Sequence, residues 1–198
     1  VKDENGFWRS CGKKVVLEQK LPCRVFYKKC WADVELGRKL LPNQDEEIVQ
    51  FSESINGSGL VVVVIMKKNT ATCPAIVICL GGPIAPMPDF LDQSSIYYHF
   101  IRQGFALIIP LRRGVSGMGK EWERALEGHY GEYDVEDTIA ATDFVMLHHS
   151  DVIDTKNVFL YGGSYGGYVV GLIAGKANSN KRFKAIVSHC GVYDIAIY

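Results

Sequence analysis

Residues 157–167 read Asn157-Val-Phe-Leu-Tyr-Gly-Gly-Ser164-Tyr-Gly-Gly167, a strand-like run that leads into a Gly-x-Ser-x-Gly motif and a helix-length segment. A turn of this kind holds its serine in a strained backbone conformation, and a Cβ atom two positions away would collide with the neighbouring strand or helix. Gly162 and Gly166 remove those collisions. The order of strand, motif and helix therefore predicts a nucleophile elbow, rather than a glycine-rich turn without chemistry, that lifts the Ser164 hydroxyl above the carboxyl edge of a sheet.

Strand-like and helix-like segments alternate around this stretch, which predicts a mostly parallel sheet with helices on both faces, the α/β class. Active sites in such folds lie at the carboxyl ends of the strands. The segments are a hairpin over residues 48–67 with a turn at 56–59, strands over 75–80, 105–109 and 183–190, and helices over 92–103, from 134 onward and over 165–177. Pro110 is expected to stop the strand before it, and Val135 and Leu147 are predicted to share one apolar stripe.

The pattern divides the chain into two parts. Residues 1–45 carry short apolar clusters between lysine-rich stretches, and we expect an N-terminal extension or the tail of a preceding domain there. Residues 46–198 carry the alternating pattern and are predicted to form part of one α/β domain. The chain begins with Val1 and not with a methionine, so a fragment or a processed product is expected.

Charge and hydropathy exclude several classes of protein. The chain has 22 Lys and Arg against 22 Asp and Glu, a formal net charge of zero, so nucleic acids and anionic membranes are not expected partners. The longest apolar run, residues 60–66, is too short to span a bilayer, and residues 1–5 are not expected to be part of a signal peptide.

The spacing and surroundings of the cysteines indicate a protein of a reducing compartment that binds no metal. No two of them form a C-x-x-C pair, and no histidine stands at zinc-ligand spacing, so neither a metal nor another cofactor is expected. Cys79 and Cys190 lie in apolar strand-like runs that suit buried, reduced thiols, which indicates a cytoplasmic protein. A disulfide among Cys11, Cys23 and Cys30 stays open.

Several motifs occur together in a fixed order from residue 46 to the end of the chain. They are Gly81-Gly82-Pro83 after a strand, Gln103-Gly104-Phe105-Ala106, Arg113-Gly114-x-x-Gly117-x-Gly119, Asp134-x-x-Asp137 at a helix start, Gly162-Gly163-Ser164-Tyr165-Gly166-Gly167 and Gly191-Val192-Tyr193-Asp194. With these motifs the chain resembles the catalytic domain of the prolyl oligopeptidase family of serine peptidases, within the α/β-hydrolase fold. The resemblance implies a peptidase that acts on peptide or small ester substrates.

The resemblance also implies a role for individual residues. Ser164 matches the acylated nucleophile, the backbone N–H of Tyr165 matches one oxyanion donor, and Gly162 and Gly166 match the elbow glycines. Many members of the family carry a tyrosine or histidine before the first glycine pair as the second donor, whereas this chain has Leu80. A second donor is then expected from the backbone near Gly81 or Gly82, or is absent.

The acid and base of a catalytic triad are not recognisable in the chain. In this fold the order is Ser, then Asp or Glu, then His, on loops after later strands. Asp194 matches a different family position, and His189, His148 and His149 are interpreted as structural. We therefore expect the sheet to be truncated before its last strands, the triad Asp and His to lie beyond the chain end, and the chain alone to be inactive.

Other functions remain open at this stage. An esterase or thioesterase shares the elbow, and a non-catalytic relative would account for Leu80. The segment 114–120 matches the first seven positions of a nucleotide-binding P-loop, but Glu121 replaces the Ser or Thr that would bind Mg²⁺. Arg112 and Arg113 could bind a substrate carboxylate or carbonyl; for Arg113 we expect a structural ion pair instead, for instance with Glu132 or Asp134.

Overall fold

The structure is a computed structural model that describes residues 23–27, 30–34, 48–55, 57–68, 71–92, 95–176 and 179–194. Strands and helices are numbered in chain order within these residues. The strands are β1 (Cys23–Tyr27), β2 (Cys30–Val34), β3 (Ile48–Ser54), β4 (Val61–Lys67), β5 (Cys73–Cys79), β6 (Ala106–Leu111), β7 (Ile153–Gly163) and β8 (Ile186–His189). The helices are α1 (Ile96–Arg102), α2 (Lys120–Arg124), α3 (Tyr133–His148), α4 (Tyr165–Gly175) and α5 (Ser179–Arg182).

Six strands form one mixed sheet in the order β3-β4-β6-β5-β7-β8. The pairs β3–β4 and β4–β6 are antiparallel, while β6–β5, β5–β7 and β7–β8 are parallel. The predicted hairpin and the predicted parallel strands are both confirmed. β1 and β2 pair with each other in a separate antiparallel sheet, and the division of the chain near residue 45 stays a prediction.

Alternate residues of each central strand face opposite apolar clusters, because successive side chains of a strand point to opposite faces of the sheet. One cluster joins Val77 of β5 and Ile108 of β6 to side chains of α3 and α4. The other cluster joins Ile78 of β5 and Leu107 of β6 to Ile101 of α1. The predicted arrangement of helices on both faces is therefore confirmed.

Three predicted boundaries are wrong. The strand expected over 183–190 is shorter, since β8 spans only Ile186–His189. The helix expected from Asp92 begins at Ile96, because the Ser95 hydroxyl accepts a hydrogen bond from the N–H of Tyr97 and caps the helix there. β6 does not stop before Pro110 but continues to Leu111, with Pro110 opposite Val62 of β4. The pairing of β6 with β5 ends at Ile108, so on that flank the missing N–H of proline interrupts no ladder hydrogen bond.

The buried face of α3 differs from the predicted apolar stripe. Val135 is buried as predicted, but Leu147 is 74% exposed. The buried face instead contains two threonines, Thr138 and Thr142, whose hydroxyls donate at 2.7 Å to the carbonyls of residues 134 and 138. Because these hydroxyls are bonded within the helix, they can be buried against the sheet without an unpaired donor. A pattern of apolar residues alone could not reveal that face.

Truncations on the two sides of α3 should therefore differ in their effect on stability. Val145 is fully buried, and Val145→Ala should lower the free energy of unfolding by about 2 kcal/mol through lost apolar burial and a residual cavity. Leu147→Ala should change it by less than about 0.5 kcal/mol. Urea unfolding of both variants of the intact protein measures the difference, and equal losses would contradict the observed face.

The cysteines of the six-stranded domain are only partly as predicted. Cys73 and Cys79 are free and buried, and burial raises the pKa of the Cys79 thiol to about 12. Cys190 is free but exposed, contrary to the prediction, because β8 ends at His189 and the next residue turns out of the sheet with φ 49°.

The disulfide considered among Cys11, Cys23 and Cys30 stays a prediction. In the β1–β2 register Cys23 pairs with Val34 and Cys30 with Tyr27. Cys11 lies outside the described residues.

No described helix is long and apolar enough to cross a membrane. Within the same described ranges, no cluster of three or more His, Cys, Asp or Glu side chains could hold a metal ion.

Candidate active site

Ser164 lies on the sharp turn between the parallel strand β7 and helix α4, as the sequence predicts. β7 ends at Gly163 and α4 begins at Tyr165, so Ser164 alone joins the two elements. Its backbone has φ 55° and ψ −125°, a conformation that residues with a side chain rarely adopt, and the residue is exposed. The strained turn therefore presents the hydroxyl to solvent at the carboxyl end of the parallel strands.

The two elbow glycines are sterically required. A Cβ atom on Gly162 would overlap the carbonyl oxygen of Gly166, and a Cβ atom on Gly166 would overlap the carbonyl oxygen of Cys79. Both obstacles are backbone atoms, which cannot rotate away as a side chain can. Glycine at these positions lets β7, α4 and the end of β5 approach closely around the serine.

The predicted oxyanion donors flank Ser164. Tyr165 is the first residue of α4, where N–H groups have no carbonyl partner within the helix. On the other side, a Cβ atom on Gly81 would lie 3.8 Å from the Ser164 Cβ atom. Backbone N–H groups beside an exposed serine could stabilise negative charge on a substrate oxygen, but this role of Tyr165 and Gly81 stays a prediction.

The end of β8 holds the elbow in place. The N–H of Ser164 donates to the carbonyl of His189 at 3.0 Å. The Ser188 hydroxyl donates to the carbonyl of Gly167 at 3.0 Å and lies 2.7 Å from the hydroxyl of Tyr193. His189 itself is exposed at the strand end, and no histidine within the described part of the chain is hydrogen-bonded to the Ser164 hydroxyl.

Arg112 is turned inward and not toward a substrate. Its side chain is 1% exposed, and its guanidinium donates to four backbone carbonyls. These are Pro83 at 3.1 Å, Arg113 at 3.0 Å, Leu80 at 3.2 Å and Gly81 at 3.4 Å. The suggestion that Arg112 binds a substrate carboxylate or carbonyl is therefore not supported by its position.

Arg113 forms the expected ion pair with the following helix, but with a different partner. Its Nε and Nη2 atoms donate to the two oxygens of Asp137 at 3.0 and 2.7 Å. Asp137 is a better partner than Glu132 or Asp134 because it also accepts the backbone N–H of Arg113 at 2.8 Å. The pair borders a cavity of about 160 Å³ lined by Ser58, Leu60, Arg113, Trp122 and Asp137, which does not include Ser164.

A buried contact between Tyr165 and Asp134 was missed by the sequence reasoning. The hydroxyl of Tyr165 donates to Oδ2 of Asp134, and the N–H of Val135 donates to Oδ1 of the same carboxylate. Asp134 is fully buried in the first turn of α3. Burial, together with this carboxylate, raises the pKa of the Tyr165 hydroxyl far above its usual value. The two residues are 31 positions apart, and no local pattern in one sequence indicates such a pair.

The segment that resembles a P-loop is engaged within the protein. The N–H of Gly117 donates to the Glu123 carboxylate at 3.1 Å, and the N–H of Ser116 donates to the carbonyl of Ala85. A phosphate site needs such N–H groups to face the ligand, and these two donate to the protein instead, which does not favour nucleotide binding at this segment.

A mostly parallel sheet between two layers of helices, with a serine on a strained turn between a parallel strand and the following helix, defines the α/β-hydrolase class. Comparison with known proteins gives the particular family. The model of the prolyl oligopeptidase family matches residues 92–198, so the chain belongs to the prolyl oligopeptidase family.

Individual relatives agree with this membership. The chain is 29% identical over 149 residues to dipeptidyl-peptidase 5 of Porphyromonas endodontalis, which covers 74% of the chain and 21% of the relative. It is 36% identical over 110 residues to acylamino-acid-releasing enzyme 1 of Oryza sativa subsp. japonica, which covers 56% of the chain and 14% of the relative. The chain thus spans about a fifth or less of these relatives.

Solved structures share the fold. A puromycin-hydrolysing peptidase of Mycobacterium tuberculosis superposes with a TM-score of 0.65 at 25% identity and covers 84% of this chain and 26% of its own. The acylaminoacyl peptidase of Pyrococcus horikoshii superposes with a TM-score of 0.58 at 20% identity, covering 74% of this chain and 23% of its own.

Proposed function

We propose that the protein is a serine peptidase of the prolyl oligopeptidase type that acts through an acyl-enzyme on Ser164. The observation that carries the proposal is the exposed Ser164 at φ 55°, flanked by Gly81 and by the first N–H groups of α4. Family membership supports the same chemistry.

In this mechanism the Ser164 hydroxyl attacks the carbonyl carbon of the scissile bond while a base removes its proton. The carbonyl electrons move to the oxygen, and the N–H groups of Tyr165 and Gly81 stabilise that charge by hydrogen bonds. As the intermediate collapses, the C–N bond breaks, the base passes the serine proton to the leaving amine and the acyl group stays on Ser164. Water, deprotonated by the same base, then attacks the acyl carbon and releases the acid, and Ser164 regains its proton. We assign the base and its acid partner to a histidine and an aspartate that follow Ser164 in chain order, as in other α/β-hydrolases.

A peptide is the proposed substrate. The relatives are named as a dipeptidyl-peptidase, an acylamino-acid-releasing enzyme and a puromycin-hydrolysing peptidase, which supports a peptide over an ester. We further propose a cytoplasmic setting, supported by the buried free thiols of Cys73 and Cys79, and a boundary near residue 45 between the peptidase domain and the segment before it.

A fluorophosphonate probe tests the proposal on the intact natural protein. We expect covalent labelling at Ser164, located by peptide mass spectrometry, because the probe phosphonylates serines that are activated by a base and an oxyanion hole, with loss of fluoride. Prior heat denaturation should abolish the labelling. Absence of labelling on the folded protein would contradict the hydrolase function and favour a non-catalytic relative.

If the wild type is labelled, untreated protein from the same preparation then separates a peptidase from an esterase. Peptide anilides and short acyl esters are compared by kcat/KM. Faster cleavage of peptide anilides supports the peptidase, whereas turnover confined to short esters or thioesters would replace it by an esterase or thioesterase.

A further inference from the structure

The loop that follows β5 at the candidate site is held by hydrogen bonds from a buried cation, the guanidinium of Arg112. Arg112 is almost completely buried, and its Nη2 atom donates to the carbonyls of Leu80 and Gly81 at 3.2 and 3.4 Å. Its Nη1 atom donates to the carbonyls of Pro83 and Arg113 at 3.1 and 3.0 Å. A buried charge is costly unless it is hydrogen-bonded, so this fork of contacts strongly constrains the direction of the loop carbonyls.

Those carbonyl directions fix the N–H directions. The C=O of Leu80 and the N–H of Gly81 belong to one peptide unit, as do the C=O of Gly81 and the N–H of Gly82. No described peptide bond is cis, and in a trans unit C=O and N–H point in opposite directions. Since the two carbonyls point toward Arg112, the two N–H groups point away from it, on a segment where Gly81 lies beside Ser164.

The side chain before the glycine pair cannot contribute a donor. Leu80 is 4% exposed and packs in the apolar cluster with Ile78 and Ile109. On the basis of the proposed hydrolase function, we propose that Arg112 is a positioning residue that aligns the Gly81 and Gly82 N–H groups as the second side of the oxyanion hole. Backbone N–H groups that a buried guanidinium holds in place thereby take over from the side-chain donor that Leu80 cannot provide.

The Arg112 side chain also lies near Tyr165, on the other side of Ser164. The Arg112 guanidinium carbon lies 5.3 Å from the centre of the Tyr165 ring, and the Tyr165 hydroxyl donates to Asp134. Burial lowers the pKa of Arg112, whereas the Asp134 carboxylate raises it and favours the charged form. Tyr165 carries the other predicted donor N–H, so one buried group of residues fixes both sides of the hole.

Gly114 leaves the space that Arg112 needs. A Cβ atom on Gly114 would lie 3.0 Å from Arg112 Nη1, 3.0 Å from the Pro83 carbonyl oxygen and 2.6 Å from Leu126 Cδ2. Its φ of 95° also favours glycine. The loop sequence is thus compatible with Arg112 in its inward position.

A pair of inhibitors tests this role in the intact natural protein. A peptidyl trifluoromethyl ketone forms a bond from Ser164 Oγ to its carbonyl carbon; the carbonyl electron pair moves to oxygen and the serine proton passes to the base. The matched secondary alcohol binds without that bond or that charge. We expect Arg112→Met to weaken the ketone by about 10²-fold, the typical cost of one lost oxyanion donor, and to leave the alcohol unchanged.

Arg112→Lys separates geometry from charge and serves if the Met variant does not fold. Lysine keeps the positive charge but cannot hold four carbonyls in a planar fork, so the ratio of ketone to alcohol affinity should fall by about 10-fold or more. A wild-type ratio in a folded Lys variant would overturn the positioning role. Val145→Ala is the control, because it lowers stability in the core of α3 and should leave the ratio unchanged.

The two proposals fail in different ways. If the probe labels the wild type but the ratio of ketone to alcohol affinity is unchanged in the Arg112 variants, only the role of Arg112 is overturned. Absence of labelling in the wild type would overturn the hydrolase function and this inference with it.

Discussion

Ser164→Ala in the intact protein should lower kcat for a peptide anilide by about 10⁵–10⁶-fold, the scale observed when a serine protease loses its nucleophile. The substitution removes the hydroxyl that is proposed to attack the substrate, so no acyl-enzyme can form. KM should change little, because Ser164 is exposed and the substitution removes only its hydroxyl oxygen. Steady-state kinetics together with intact-mass analysis after fluorophosphonate treatment measures both effects.

Ser95→Ala is a matched control for the loss of a hydroxyl. Ser95 caps α1 by accepting the N–H of Tyr97 at 3.1 Å, so its removal should lower the free energy of unfolding by about 1 kcal/mol. Turnover should stay at the wild-type level. Retention of more than about a tenth of wild-type kcat in Ser164→Ala would contradict the assignment of the nucleophile.

Gly166→Ala should destabilise the folded protein by more than about 4 kcal/mol, or displace the elbow so that labelling of Ser164 is lost. The new methyl group would overlap the carbonyl oxygen of Cys79, an atom of the central strand β5 that has no room to move. Relief of this overlap would require α4 to separate from the sheet and give up buried apolar contacts. Urea unfolding and probe labelling of the intact variant give the two readings.

Gly175→Ala provides the comparison within the same helix. Beyond the helix's own backbone and the adjacent residues, no atom in the described part of the chain lies within 4 Å of a Cβ built on Gly175, so this substitution should be neutral or stabilising by up to about 1 kcal/mol. If Gly166→Ala unfolded within about 1 kcal/mol of the wild type, close packing at the elbow would not be the reason for glycine there.

The features that the sequence predicts correctly are those with a local signature. The elbow depends on five consecutive positions. The buried strands β5 and β6 depend on runs of β-branched and other apolar residues. Each of these features can be predicted from the local sequence without knowledge of distant contacts. The buried face of α3 was misjudged because its threonines are satisfied inside the helix and count as polar in any periodicity.

The support of the candidate site is non-local and could not be predicted. Arg112 contacts carbonyls about thirty positions earlier, and Tyr165 contacts Asp134 across 31 positions. From sequence, Arg112 is a loop arginine next to another arginine, and nothing in the residue type distinguishes the one that turns inward from the one that pairs with Asp137. Only the packing of β5, β6 and α3 decides between them.

The hydrogen bond from the Ser164 N–H to the His189 carbonyl also bears on the order of biosynthesis. Residue 189 leaves the ribosome after the serine, so a nascent chain that ends before it can pair β5 with β7 but cannot close the amide contact that sets the turn. On the proposed function, we therefore expect the Ser164 hydroxyl to reach the orientation needed for attack only after β8 has been synthesised and has joined the sheet.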